Sequence, residues 1–284
     1  MAERDRFAAP PPEVVRYVKA KGLEPSEHWL DTAFDAHALS FTVARSAGYD
    51  ILGDVRDALV KAMAGRQEFA DCQKGLEPLL KARGWWGKTP EGVQLGSPRR
   101  LRTIYWANVR TAHAAGQWER VQATKRVLPY MVYVISTALK RRELHLQWVG
   151  TALPVDDPWW DTHYPPNGWN CKCRVRQISQ YELDNSGYST QAPDDGEVSF
   201  TNKRTGEVIK VPQGIDPGWG GNPGKVRMQN AAIDPADPVT SADIGATVFM
   251  TDDNTVSRTN PGGNTKSAAG LLLDVDANSA WVKI

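Results

Sequence analysis

The residues best suited to chemistry lie in one short stretch near the middle of the chain. His163 is followed by Tyr164 and a Pro-Pro-Asn-Gly turn, and Cys171 and Cys173 come shortly after that turn. Thiolate sulfur and imidazole nitrogen are the ligands that zinc prefers in proteins. The turn predicts that His163 folds back towards both sulfurs, giving three ligands of a structural zinc site. A fourth ligand would come from upstream in the chain, from His145, Asp157 or Asp161.

Two other interpretations of the cysteines stay open. Alternate residues of a strand point to opposite faces, so Cys171 and Cys173 could be reduced structural thiols, one buried and one exposed. One of them could instead be a redox or catalytic thiol. Their Cys-x-Cys spacing is shorter than the spacing usual in structural zinc sites. The third cysteine, Cys72, is predicted to lie in the core face of a helix.

The same histidines and carboxylates allow a catalytic hypothesis. A metal-dependent hydrolase, for example a nuclease, needs an open coordination position and an activated water. Its site would use His145, Asp157, Asp161 and His163. The sequence contains no P-loop, GxGxxG, HExxH or GxSxG motif. We therefore expect a protein without catalytic residues rather than an enzyme.

Basic residues and tryptophans are concentrated in the middle third. The whole chain has 284 residues and a net charge of +1, yet residues 81–182 carry 16 basic and 7 acidic side chains. Eight of the eleven tryptophans lie there too. Basic residues interleaved with aromatic ones suit contact with phosphates and bases, although a tryptophan-rich core beneath a solvated basic face is the alternative. The candidates for DNA binding are Arg99, Arg100, Arg102, Arg110, Lys125, Arg126, Lys140, Arg141 and Arg142.

Composition argues against several classes of protein. No apolar run approaches the roughly 20 residues that span a bilayer, so we expect no membrane contact. The first residues are charged and then proline-rich, without the apolar region of a secretory signal. Three cysteines cannot form a disulfide framework, which favours a reducing cytoplasm.

Helical periodicity and capping signals dominate the first half of the chain. Ser97 begins a helix over 98–115 as its N-cap, and Gly116 is expected to break that helix before a second one over 117–127. A β-branched and aromatic run predicts a strand over 130–136. Earlier helices are predicted over 13–21, 27–47, 51–64 and 67–83.

Beyond Asp184 the composition shifts to Gly, Pro, Asp, Asn and Ser. A turn over 202–206 between two apolar runs indicates a hairpin. Short strands are predicted near 247–251, 271–275 and 280–284. The fold class is therefore α+β, with a mainly helical N-terminal region, a mixed α/β middle containing a Pro/Trp-rich loop region, and a small β-rich C-terminal module. The predicted segments are a helical region at 1–95, a core with the Cys-x-Cys loop at 96–225, a linker at 226–243 and a β module at 244–284.

Several motifs between Pro12 and Gly224 resemble one known family. They are Gly84-Trp-Trp-Gly87, Gly96-Ser-Pro-Arg-Arg-Leu-Arg-Thr-Ile-Tyr105, Pro165-Pro-Asn-Gly-Trp-x-Cys-x-Cys-Arg174 and Gly214-x-Asp-Pro-Gly-Trp219. In these motifs the chain resembles the Mu F-like family of phage head-morphogenesis proteins, which are minor capsid proteins. The family motif retains His145, Cys171 and Cys173, so the resemblance implies a shared site at these residues.

The resemblance also implies a function. It implies a minor head protein of a tailed phage or prophage, present in few copies near the portal and acting in head assembly and DNA packaging. The implied partners are the portal protein, the major capsid or scaffold protein, and double-stranded DNA contacted without sequence specificity. The implied location is the inside of the virion head, and the host cytoplasm during assembly. The alternative is a portal adaptor that does not contact DNA.

Overall fold

The computed structural model describes most of the chain. The described residues are 11–32, 34–46, 48–65, 67–233, 238–243, 246–252, 255–258, 268–275 and 279–283. Within them, helices and several small sheets alternate, so the predicted α+β class is confirmed. None of the helices in these ranges has the length and apolar character that crossing a membrane requires.

The N-terminal half is a helical bundle around its own core. Apolar side chains from the helices and the loop after them meet there, among them Val14, Leu52, Leu59, Leu80 and Trp85. Two short strands, β1 (Gly22–Leu23) and β2 (Ser40–Phe41), pair in parallel beside it. The helices are α1 (Pro12–Lys19), α2 (Phe34–Leu39), α3 (Tyr49–Gly65), α4 (Phe69–Ala82) and α5 (Pro98–Thr124).

The long helix predicted over 27–47 is wrong. The chain forms a single 3-10 turn at Trp29–Asp31, then the short helix α2, and then extends into β2. Nδ1 of His28 accepts a hydrogen bond from the backbone of Leu30, and the Asp31 carboxylate accepts one from the backbone of His28. This reciprocal cap starts the 3-10 turn, and pairing with β1 provides partners for the extended backbone at Ser40.

The predicted break at Gly116 is also wrong, because α5 continues through it to Thr124. Ser97 does cap the helix, since its Oγ accepts a hydrogen bond from the Arg100 backbone at 3.2 Å. Gly116 faces α1, where an added Cβ would lie 2.9 Å from Cγ of Glu13 and 3.0 Å from Cγ2 of Val14. The glycine therefore permits close packing of two helices, which sequence periodicity alone does not distinguish from a break.

The middle of the chain is built on a three-stranded antiparallel sheet in the order β4–β3–β5. A second core packs against it, and five of the eight tryptophans between residues 81 and 182 are buried in the two cores. Most of these tryptophans are therefore core residues. The elements are β3 (Tyr130–Val134), α6 (Glu143–Leu146), β4 (Ala152–Pro154), α7 (Trp159–His163), β5 (Arg174–Ile178) and α8 (Gln180–Asp184).

The last part of the chain is β-rich. The hairpin predicted around 202–206 is present as β6 (Glu197–Thr201) and β7 (Val208–Pro212). Five further strands close into a barrel in the order β10–β8–β12–β11–β9. The first of them lies inside the segment 226–243 that the sequence predicts to be a linker, so the barrel begins earlier than expected. The strands are β8 (Met228–Ile233), β9 (Thr247–Asp252), β10 (Thr255–Ser257), β11 (Ala268–Val275) and β12 (Ser279–Lys283).

Candidate functional site

Three of the four predicted metal ligands meet beside the middle sheet. Nδ1 of His145 lies 3.4 Å from Sγ of Cys173 and 3.7 Å from Sγ of Cys171. The three ligand atoms are all within 4.8 Å of one another. His145 and Cys171 are buried and Cys173 is half-buried. His145 and both cysteines could thus hold a metal ion.

Two separate segments position this group. The short helix α6 carries His145, and the turn before β5 carries both cysteines. In that turn the Cys171 backbone donates to the Gly168 carbonyl at 3.1 Å, and Asn170 adopts a left-handed conformation with φ of 59°. An Asn tolerates this conformation better than most residues. The turn therefore directs both sulfurs towards α6.

His163 does not join the group, contrary to the expectation from the Pro-Pro-Asn-Gly turn. Its imidazole stacks on the Trp159 ring at 4.4 Å, with its Nε2 3.1 Å from Oδ2 of Asp195. Asp195 also accepts a hydrogen bond of 2.9 Å from the indole of Trp148. The buried carboxylate and the aromatic layer hold His163 away from the sulfurs.

Hydrogen bonding between the two sulfurs makes the thiols unequal. The bond from Cys173 is the largest cause that lowers the pKa of Cys171, to about 4, and His145 assists. The same bond, followed by burial, raises the pKa of Cys173, whose sulfur also bonds the hydroxyls of Tyr133 and Ser136. Cys171 is therefore the more acidic of the two thiols.

An ion pair between Arg142 and Asp216, which we call the charged clamp, supports the cysteine turn. Arg142 donates two hydrogen bonds to the Asp216 carboxylate, at 2.6 and 2.7 Å, and a third to the Trp169 carbonyl at 3.0 Å. Asp216 also accepts from the Trp169 backbone at 2.8 Å. A Cβ at Gly168 would lie 2.5 Å from Asp216, so the glycine lets the turn approach the clamp.

Sequence analysis missed the carboxylates that hold this region together. Asp216 lies in the Gly214-x-Asp motif, which the sequence shows, but the motif does not indicate that Asp216 pairs with Arg142. Asp195 lies in a polar stretch with no local pattern, and only the tertiary fold brings it to His163 and Trp148.

The residues proposed for a hydrolase do not converge. Asp157 accepts a hydrogen bond from the Trp159 backbone at 2.9 Å, and Asp161 pairs with Lys225 at 2.5 Å. Among the described residues, His145, Cys171 and Cys173 form the only group of three or more potential metal ligands whose ligand atoms lie within 4.8 Å of one another. A metal-activated water flanked by the predicted carboxylates has no support in this arrangement.

At least four of the nine DNA-binding candidates contact other groups of the protein, among them Arg141, whose Nε donates to the Ser136 carbonyl at 3.0 Å. Arg100 donates to the carbonyls of Gln94 and Leu95, at 2.8 and 3.0 Å, and lies over the Trp85 ring. Arg142 belongs to the clamp described above, and Lys125 pairs with Asp156 at 3.3 Å. These side chains hold the fold together, so they are poorly placed to bind phosphate. Arg126, Lys140 and Arg141 are exposed.

The other candidates lie along one face of α5. Arg99, Arg102, Trp106 and Arg110 follow each other at helical spacings of three and four residues, which places them on one side of the helix. Arg99, Arg102 and Trp106 are exposed, and Arg110 is half-buried with its guanidinium 5.3 Å from the Trp106 ring. No carboxylate from the described residues pairs with these arginines. We call these four residues the α5 basic stripe.

Comparison with known proteins identifies a family domain in the central part of the chain. Residues 53–176 match the family described as Phage Mu protein F like protein. These residues are a Mu F-like domain. The domain covers most of α3, all of α4 and α5, most of the middle sheet and the His145–Cys171–Cys173 group, which confirms the resemblance found in the sequence.

Two relatives extend the similarity beyond the Mu F-like domain. The chain is 37% identical over 241 residues to the putative capsid assembly protein F of Escherichia phage Mu, covering 76% of this chain and 54% of the relative. It is 38% identical over 194 residues to the Mu-like prophage FluMu F protein of Haemophilus influenzae, covering 65% of this chain and 47% of the relative. The chain thus spans about half the length of these curated relatives. No solved structure matches it.

Proposed function

We propose that this chain is a minor head protein of a tailed phage or prophage, acting in head assembly and DNA packaging near the portal. The observation that carries the proposal is the 37% identity over 241 residues to a relative named as a capsid assembly protein. The portal protein and the major capsid or scaffold protein are its proposed partners. Its proposed place is inside the virion head, and the host cytoplasm during assembly. This assembly role fits a protein that is not an enzyme.

We also propose that the α5 basic stripe contacts double-stranded DNA without sequence specificity. Three arginines on one face carry positive charge over about 17 Å of helix, since each residue rises 1.5 Å. Arginine binds phosphate by parallel hydrogen bonds. The stripe has no carboxylate among its four residues, so nothing within it offsets the attraction to phosphate.

Exposed aliphatic side chains support contacts with other head proteins. Ile135, Leu139, Leu144, Leu146 and Val149 are between 37% and 108% exposed, all within fifteen residues. Clustered exposed apolar residues mark interaction surfaces more often than isolated ones do. This segment is our candidate for the portal or capsid contact, which is required both by the head role and by the second function, a portal adaptor that does not bind DNA.

A salt titration separates the two functions. The full chain should bind double-stranded DNA at low salt, and replacing Arg99, Arg102 and Arg110 with Ala should reduce the slope of log affinity against log salt by about 2.7, roughly 0.9 per phosphate contact. The control replaces three exposed lysines outside the stripe, Lys61, Lys74 and Lys88, and so removes the same charge.

Each outcome has a clear meaning. A loss of slope in the stripe variant alone supports DNA contact through α5. Equal loss in both variants assigns binding to net charge rather than to the stripe. No binding of the wild-type chain at low salt leaves the adaptor as the function.

The head role needs its own test. The coding sequence is deleted from the phage or prophage that carries it, and particles are counted by electron microscopy with and without a complementing copy. We expect DNA-filled heads to fall at least tenfold and the wild-type copy to restore them. Normal numbers of filled heads in the deletion would contradict the assembly role.

A further inference from the structure

We propose that His145, Cys171 and Cys173 bind one zinc ion that fixes the cysteine turn against α6. This inference does not depend on the proposed head function, because it uses only the geometry and chemistry of the three side chains. Two thiolates and an imidazole form a ligand set that binds zinc in preference to the hard cations Mg²⁺ and Ca²⁺.

The spacing of the three ligand atoms fits a shared ion. Zinc binds sulfur at about 2.3 Å and imidazole nitrogen at about 2.0–2.1 Å, so two such ligands on a tetrahedral ion lie about 3.5 Å apart. The distances from Nδ1 to the two sulfurs are 3.4 and 3.7 Å.

The imidazole is set in the tautomer that a metal requires. Nε2 of His145 lies 2.7 Å from the Gly214 carbonyl oxygen, which can only accept, so Nε2 must carry the proton. In the neutral ring, Nδ1 then carries the lone pair that faces the two sulfurs. A ring nitrogen held by a backbone carbonyl is the usual outer-shell support of a metal-binding histidine.

The Arg142 guanidinium lies next to the cysteine turn, where it donates a hydrogen bond to the Trp169 carbonyl at 3.0 Å. Asp216 holds the Arg142 guanidinium in place. Two thiolates with one divalent ion make a locally neutral centre, which lowers the cost of burying both charges.

The ion would join parts of the sequence that have little regular structure of their own. His145 belongs to a helix of four residues, and the cysteines lie in the irregular segment between α7 and β5. Such segments gain order from a metal more than a long helix does. With three ligands in the described residues, the fourth position is left to water or to a group outside them.

The first test measures metal in the full chain. Protein expressed with zinc in the medium should contain one zinc ion per chain by mass spectrometry of the elements. Cys171→Ser and Cys173→Ser should each lower the zinc content at least tenfold, whereas Cys72→Ser should leave it unchanged, because Cys72 is a lone buried thiol in α4. Zinc content independent of Cys171 and Cys173 would overturn the proposal.

A second measurement keeps the test valid if the serine variants do not fold. The wild-type chain is stripped with a chelator and titrated with Co²⁺, which reports thiolate ligands by a charge-transfer band in the near ultraviolet. The band should saturate at one equivalent and disappear when zinc is added. Absence of that band in refolded wild-type chain, together with absence of zinc in the purified protein, would also overturn it.

Discussion

The backbone carbonyl of Gly214 lies 2.7 Å from Nε2 of His145 and fixes the ring that faces both cysteines. Gly214 has a φ of 96°, and a Cβ there would lie 3.0 Å from Cζ2 of Trp148. The Trp148 ring stacks on His145 with 4.5 Å between ring centroids. The glycine, the indole and the imidazole therefore form one packed layer.

Replacing Gly214 with Ala should lower the free energy of unfolding by about 1–3 kcal/mol, because the residue is held at positive φ and the methyl group crowds Trp148. The measurement is urea unfolding. Gly206→Ala is the control, since Gly206 has a φ of 76° with nothing within 4 Å of the added Cβ. Equal losses in both variants would mean that crowding against Trp148 contributes nothing.

Gly116 allows a second comparison of two opposing effects. Gly→Ala in a helix interior adds about 1 kcal/mol of stability through helix propensity, but overpacking a buried contact costs about 1–3 kcal/mol. Because the new methyl group would press on Val14 and Glu13, Gly116→Ala should be destabilising overall.

Gly75→Ala in α4 is the matched control, with nothing within 4 Å of the added Cβ. It should raise the free energy of unfolding by up to about 1 kcal/mol. The stability of both variants is measured from the midpoints of chemical denaturation. A stabilised Gly116→Ala variant would show that α1 moves away from α5 at little cost.

Local signals in the sequence predicted the elements that local chemistry controls. The Ser97 cap, the β3 strand and the hairpin around residues 202–206 all follow from spacing and turn chemistry. The predicted helix break at Gly116 and the predicted helix over 27–47 are both wrong. Contacts with α1 and β1, which the local sequence pattern does not show, determine these conformations.

At the candidate site, too, the local sequence predicted some features, and the tertiary fold determined the others. The types of His145, Cys171 and Cys173 pointed to a shared metal, and their spacing could not show which histidine would reach the sulfurs. His163 is nearer in sequence, yet Asp195 and Trp159 hold it elsewhere. That choice depends on residues far along the chain, so no local pattern encodes it.

The Arg142–Asp216 pair predicts a stability change with acid. Burial alone would raise the pKa of Asp216, but hydrogen bonds from Arg142 and the Trp169 backbone outweigh it and lower the pKa below its ordinary value. The pair therefore stabilises the fold fully above about pH 4, the unfolded value, and loses that contribution as pH falls through the lowered pKa.

Asp216→Asn should reduce the free energy of unfolding by about 1–3 kcal/mol at pH 7, a range that discounts the partial exposure of the pair. The difference from wild type should shrink as pH falls below about 4 towards the lowered pKa, where Asp216 becomes protonated in the folded state as well. Urea unfolding from pH 7 down to pH 3 measures it. A difference that stays constant with pH would mean that the charge of Asp216 does not matter.

His163 predicts a second pH effect, near neutrality. Burial lowers the pKa of His163 below 6.5, although Asp195 acts in the opposite direction. The unfolded chain then binds a proton more readily than the folded one, so stability is fully present above pH 6.5 and falls as pH drops towards the lowered pKa. His37 and His113 have lowered pKa values from burial and add to the same trend.

His163→Gln removes one of these three contributions and isolates it. The variant should show a shallower loss of stability between pH 7 and pH 5 than the wild type, measured by urea unfolding with a chelator present so that metal release does not enter. His28→Gln is the control, because His28 lies on the half-exposed 3-10 turn rather than in a buried layer. If the slopes of His163→Gln and wild type coincide, Asp195 compensates fully for the burial of His163, and protonation of this imidazole has no part in the acid sensitivity of the fold.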